Sequence, residues 1–229
     1  MKLYQLPASP PCQIALVTIL QHDWDDVEIV PCDIRKGEHK TADFLKLNPR
    51  GQIPTLQDGD WGIGEAYAIQ TYLLQVHDTD NDFWPSDPKE RARVVQVISN
   101  EMTNMRKAVG ALYYEAVVAP KMFGKPAPSE ETLAKLVEDL DKQVEPLTVY
   151  IDAYKGEDDG GFLCGDYFTA ADANTWCYLQ NVVNTGVYKL DKFPKVKAWY
   201  ETCSTCHGPS QLTEMIQEFY ESLNEKKDE

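Results

Sequence analysis

NPRGQIPTLQDGDWGIGEAYAIQTYL, residues 48–73, holds the turn, strand and helix signals from which the rest of the chain can be ordered. IPTLQDGDWGI reads as two β-strands around an Asp58-Gly59 hairpin turn, since Asp-Gly tolerates the left-handed backbone a tight hairpin needs. Glu65 then opens a helix through AYAIQTYLLQV, whose apolar residues recur at helical spacing. Toward the N-terminus, residues 41–47 form a short helix and VEIVP a further strand. CQIALVTILQ, residues 12–21, is patterned as a buried helix. It is entered through Ser9 as N-cap, with Pro10 and Pro11 in the first turn. KLYQL is the first strand, ended by Pro7. The order β-α-β-α-β-β-α describes one α/β sheet unit.

Beyond this unit the pattern changes. DTDNDFWPSDP, residues 78–88, is polar and turn-rich and marks the boundary. Everything after it reads as helix: residues 89–118, ended by Pro120; then 132–154, 169–184, 193–205 and 211–223. The charged tail NEKKDE is expected to fray. The expected organisation is therefore an α/β domain over 1–80, a linker over 81–88, and an all-helical domain over 89–229.

Composition narrows the function classes. Of 229 residues, 43% are hydrophobic and 26% charged, which is ordinary globular usage and excludes a disordered or collagen-like chain. Lys and Arg number 22 against 37 Asp and Glu, a net charge of −15. Such a chain repels phosphate backbones and anionic lipid, so nucleic-acid and membrane-surface partners are not expected. No apolar run approaches the roughly 18–20 residues of a membrane span. MKLYQLPASPP lacks the features of a secretory signal, so the six cysteines are expected to be reduced and the setting cytoplasmic.

The motif at residues 48–73 resembles the central signature of cytosolic glutathione transferases: Asn-Pro-x-Gly-x-(Ile/Val)-Pro-x-Leu, a hairpin, then Glu-(Ser)-x-Ala-Ile-x-x-Tyr-Leu. FLCGDYFTAADA, residues 162–173, resembles the second landmark of that family, at the usual separation. The resemblance covers nearly the whole chain. It implies an α/β thioredoxin-like N-terminal domain that binds glutathione, followed by an all-α domain that contributes the electrophile pocket, usually in a homodimer. It implies detoxification chemistry with glutathione as co-substrate and a small electrophile as partner, with no metal or other cofactor.

The resemblance also implies roles for particular residues. Pro54 is the family's cis-proline, which turns the Ile53 backbone toward a tripeptide that pairs as an extra strand. Glu65 at a helix start offers a carboxylate to an ammonium, and the helix amides beside it favour a carboxylate. Together they suit the γ-glutamyl end of glutathione. The family usually places Ser after this Glu; here Ala66 stands instead, removing one hydrogen bond to a charged group, on the order of 1.5–3 kcal/mol. Gln52 and His39 match residues used at the glycine end. Ser9 matches the serine of the serine-type classes (theta-, delta- and zeta-like). Its chemistry has an independent basis: a transferase must hold the thiolate, and both a donated hydroxyl proton and a helix N-terminus favour that charged form. Arg106 and Tyr113, on the long helix, are expected at the electrophile pocket.

Competing readings stand beside these. The alternatives are Ser9 as only a helix cap, Cys12 as a working thiol of an oxidoreductase or peroxidase, and Tyr4 as a packed or catalytic aromatic. A non-catalytic binding or structural member of the superfamily is a further alternative. Cys203-Ser-Thr-Cys206-His207 fits the haem-attachment pattern, but that chemistry belongs to exported chains, and a lone C-x-x-C has too few ligands for zinc. Thr169-Ala-Ala-Asp172 reads as a capping box and not as a catalytic acid.

Overall fold

The computed structural model describes residues 1–79, 81–154 and 161–225, without the side chains of 122 and 223–225. Residues 226–229 of the charged tail lie outside them. The chain divides into two units, Met1–Thr79 with the segment from Cys206 onward, and Asp80–Thr205.

In the first unit, β1 (Lys2–Gln5), β2 (Glu28–Pro31), β3 (Thr55–Asp58) and β4 (Trp61–Gly64) form one sheet in the order β2-β1-β3-β4. β1 pairs parallel with β2 (Leu3↔Ile29) and antiparallel with β3 (Leu3↔Leu56). β3 and β4 pair as a hairpin with Asp58 opposite Trp61, so its two-residue loop is Gly59-Asp60, one residue later than Asp58-Gly59. Asp58 is held in the strand end instead, where its carboxylate accepts from the Tyr72 hydroxyl at 2.6 Å. Helices α1 (Pro10–Gln21), α2 (Ala42–Leu47) and α3 (Ala66–Val76) accompany the sheet. Leu3, Leu16, Leu56, Ile69 and Leu73 are fully buried at its centre. Two polar side chains among them are paired: Gln70 Nε2 donates to Thr18 Oγ1 at 2.8 Å, and that hydroxyl donates to Ile14 O at 2.9 Å.

The second unit is helical: α4 (Pro88–Asn100), α5 (Arg106–Tyr113), α6 (Ala119–Phe123), α7 (Glu130–Ala153), α8 (Ala170–Val183) and α9 (Pro194–Ser204). Residues 81–87 are part of this unit and not a linker. Phe83 and Trp84 are buried, Phe83 O accepts from Ala170 N at 2.9 Å, and Asp87 caps α4 through the amides of Lys89 and Glu90. Pro120 does not end the long helix. The wider π-type turn at Tyr114–Val118 precedes it, and Pro120 then lies in the first turn of α6, where a missing N–H is tolerated. The helix ends at Gly124, whose left-handed backbone (φ +62°) caps it. Another π-type turn, Glu101–Met105, joins α4 to α5. It opens on Glu101, which is 1% exposed and whose carboxylate oxygens have no hydrogen-bond partner among the described residues.

Asp172 is a folding element, as its spacing predicts. Fully buried, its carboxylate accepts from Leu163 N (2.8 Å), Thr169 N (2.9 Å), Thr169 Oγ1 (2.6 Å) and Trp199 Nε1 (2.8 Å). It thereby closes the start of α8 and ties it to α9.

The last helix, α10 (His207–Glu225), starts earlier than residue 211 and belongs with the first unit, not with the helical one. Gly208 lets its backbone approach α1: a Cβ there would stand 2.7 Å from Val17 O. Gly208 N donates to Gln21 Oε1 at 2.9 Å, and His207 Nε2 meets Asp23 Oδ1 at 2.9 Å. Among the described residues no helix is long and apolar enough to cross a membrane.

Candidate active site

Topology alone gathers the expected residues of the first unit. Ser9 follows β1 and His39 follows β2, and those strands are parallel. Ile53 precedes β3, which runs opposite to β1, while Glu65 follows β4, which runs opposite to β3. All four therefore lie at the same end of the sheet. Thr55, just after Pro54, pairs with both Tyr4 and Gly64, which places the three segments side by side.

Ser9 has extended backbone (φ −92°, ψ 116°) as the N-cap of α1, and its carbonyl accepts from Cys12 N and Gln13 N. Its side chain makes no capping hydrogen bond. The hydroxyl lies in reach of the Cys12 thiol. That thiol is fully buried, and burial pushes its pKa up to about 11, with Leu6 and Ser9 opposing weakly. Such a group is a protonated core side chain at neutral pH, not a nucleophile. Tyr4 is engaged as well: its hydroxyl donates to Gln57 Oε1 at 2.9 Å, and its ring meets Phe44 edge-on.

The segment before β3 is pinned by its neighbours. Asn48 Nδ2 donates to Gln52 O at 3.0 Å and Thr55 Oγ1 at 2.9 Å, leaving the Gln52 side chain exposed. The Ile53-Pro54 peptide bond is cis. Gly51 (φ +55°) allows the loop from β2 to come close, since a Cβ would stand 2.7 Å from His39 O. His39 Nδ1 is buried and has no hydrogen-bond partner among the described residues. Beside it Lys40 Nζ donates to Gly51 O at 2.6 Å and Arg50 O at 3.3 Å. Lys40 escaped the sequence reading; its only signal was adjacency to His39, which a solvated lysine would share.

Glu65 caps α3 with φ +68° and ψ 117°, a conformation that costs a non-glycine residue about 1–3 kcal/mol. Its carboxylate makes no capping bond and instead lies 3.5 Å from Arg50 Nη1. Arg50 is the other residue that sequence reasoning missed. Ile69 N is the first amide to bond back, to Glu65 O at 3.0 Å. Helix geometry thus leaves the amides of Ala66, Tyr67 and Ala68 without an acceptor inside α3. This end of the sheet offers a carboxylate, amides without an acceptor inside their helix, a backbone edge and a hydroxyl that makes no capping bond. In the helical unit, Arg106 is exposed at the start of α5 and Tyr113 is buried at its end, two turns away on the same stripe.

Comparison with known proteins places the chain among relatives. Residues 1–75 match the family model described as glutathione S-transferase, N-terminal domain, and residues 111–206 match its C-terminal domain. The rice protein named probable glutathione S-transferase GSTF2 (Oryza sativa subsp. japonica) is 35% identical over 188 residues, covering 80% of this chain and 82% of that protein. Human glutathione S-transferase theta-1 (Homo sapiens) is 27% identical over 228 residues, 100% of this chain and 90% of that one. The apo structure of human glutathione-S-transferase T1-1 superposes with a TM-score of 0.81 at 27% identity, covering 100% of this chain and 91% of that chain. Glutathione transferase F2 from Populus trichocarpa gives 0.82 at 27% identity, covering 95% and 99%. By sequence across most of its length, and by fold, this chain belongs to the glutathione S-transferase family.

Proposed function

We propose that the protein joins the thiolate of glutathione to small electrophiles, with the Ser9 hydroxyl holding the sulfur in its charged form. The observation that carries this reading is Ser9 itself. It stands at the N-terminus of α1 with a hydroxyl not used for capping, beside a thiol too buried to compete. In this reading the Ile53 backbone pairs with the cysteinyl part of glutathione. Glu65 takes the γ-glutamyl ammonium, and the Ala66 amide takes its carboxylate. Gln52, His39 and Lys40 face the glycine end, where a buried ring nitrogen without a partner supports His39. Arg106 and Tyr113 contribute to the electrophile pocket of the helical unit. The working form is a cytoplasmic homodimer, with glutathione as co-substrate and no further cofactor. The retained Ser9 and Glu65 favour an enzyme over a non-catalytic relative, and the buried Cys12 disfavours a thiol oxidoreductase.

Glutathione is expected to stabilise the fold. At ten times its dissociation constant, linkage adds about 1.4 kcal/mol, visible as a rising thermal midpoint. Glu65→Ala should flatten that rise, because the ammonium loses its counter-charge. Conjugation assays on a panel of electrophiles, with peroxide and disulfide substrates included, complete the test. No thermal shift and no calorimetric heat in the unmutated protein would refute the tripeptide site. Turnover of peroxides and disulfides alone would transfer the function to a thiol.

A further inference from the structure

Arg50 lies between Pro49 and Gly51, with its guanidinium Nη1 3.5 Å from Glu65 Oε1. The side chains are 72% and 54% exposed, so the pair contributes little to stability. Its backbone is nevertheless braced. Arg50 N donates to Asn48 Oδ1 at 3.1 Å, and Arg50 O accepts from Lys40 Nζ at 3.3 Å. Asn48 in turn fixes the backbone of Gln52 and the hydroxyl of Thr55. A braced loop therefore delivers a permanent positive charge to the N-terminus of α3, beside the strained Glu65 and the hydroxyl-free Ala66.

We infer that Arg50 is a specificity-determining residue that binds the α-carboxylate of the γ-glutamyl end, in the role left open where Ala66 has no hydroxyl. The inference rests on the glutathione reading above and deepens it. An α-amino acid terminus carries an ammonium and a carboxylate on one carbon. Its ammonium meets Glu65 while its carboxylate meets Arg50 and the Ala66 amide, so four charges alternate around a closed ring. Without ligand, Arg50 and Glu65 neutralise each other. A ligand with an ammonium alone must draw Glu65 away and leave the guanidinium without an anion. A ligand with both charges replaces one ion pair by two. The site therefore selects γ-glutamyl compounds with a free α-carboxylate over amines of the same length, and a planar, always-charged guanidinium suits a carboxylate.

Calorimetric titration distinguishes this from a bystander ion pair. The ligands are glutathione and its analogue without the α-carboxylate, 4-aminobutyryl-cysteinyl-glycine; the proteins are the unmutated chain, Arg50→Gln, and Arg50→Gln combined with Ala66→Ser. Arg50→Gln is expected to weaken glutathione by about tenfold, the range of one charge-assisted hydrogen bond, and to leave the analogue unweakened or up to about twofold tighter, since Glu65 no longer has to leave the guanidinium. Ala66→Ser should restore much of the lost glutathione affinity in the double variant and leave the analogue as it is in Arg50→Gln. Unaltered glutathione affinity in Arg50→Gln, or an equal loss for both ligands, overturns the role of Arg50 while leaving the glutathione site intact. An unmutated protein that binds neither ligand overturns the underlying reading, and this inference with it.

Discussion

Glu101→Gln is expected to stabilise the protein by up to about 5 kcal/mol at pH 9 and to change nothing at pH 4. Glu101 is wholly buried, neither of its oxygens has a hydrogen-bond partner among the described residues, and burial pushes its pKa from 4.5 up to about 8. A carboxyl raised in the folded state makes its full contribution below the unfolded pKa and loses it as pH climbs through the folded one. Below pH 4.5 both states are protonated and the variant gains nothing. From pH 4.5 to 8 the unfolded chain ionises and the folded one does not, so stability falls by about 1.4 kcal/mol per pH unit. Above pH 8 the charge sits in the core and the deficit is constant. An amide of the same shape never ionises and escapes the whole penalty. Urea unfolding at pH 4, 6, 7.5 and 9 should show two curves that coincide in acid and separate in base. Parallel curves across that range would mean that Glu101 finds a partner or water in solution.

Ser9→Ala is expected to reduce conjugation at neutral pH by about ten- to a hundredfold and to raise the thiol pKa of bound glutathione by about 1–2 units. A free thiol ionises near pH 8.5, so catalysis at neutral pH requires the protein to favour the thiolate. The hydroxyl proton of Ser9 and the N-terminus of α1 are the two sources of that bias, and the variant removes only the first. The deficit should therefore shrink with pH and nearly vanish where the thiol ionises unaided. A pH-rate profile and the ultraviolet absorbance of the bound thiolate read this directly. Cys12→Ala should leave conjugation nearly intact, since a thiol with a pKa near 11 takes no part. Ser9→Cys should lose conjugation and, given oxidised glutathione, exchange with its disulfide to form a protein–glutathione mixed disulfide and release one reduced glutathione, because a thiol would then stand at an open helix N-terminus. Full activity in Ser9→Ala, or its loss in a folded Cys12→Ala, would reverse the assignment.

The elements whose signals are local were legible in the chain. Ser9 before two prolines marks the start of α1, Asp58-Gly59 marks the hairpin to within one residue, and Thr169 with Asp172 marks the start of α8. Each is a matter of a few adjacent residues, because caps, turns and hydrophobic period act over one or two turns of backbone. The family signature belongs here too, since the spacing from Asn48 to Glu65 is covalent. What depends on packing was not legible. Pro120 looked like a stop, and only the wider turn at Tyr114–Val118 carries the helix past it. Residues 81–87 looked like a linker until Phe83 and Trp84 proved to be buried. The last helix joins the first unit because Gly208 fits against Val17 and Gln21, nearly the whole chain length away. In the site itself, the sequence determined which residues stand at the ends of the strands. Tertiary structure decided that Cys12 is buried, with burial pushing its pKa up, and that Arg50 stands beside Glu65. Burial and ion pairing depend on which surfaces of distant segments are pressed together, and the strand register sets that across three-dimensional space, not along the chain.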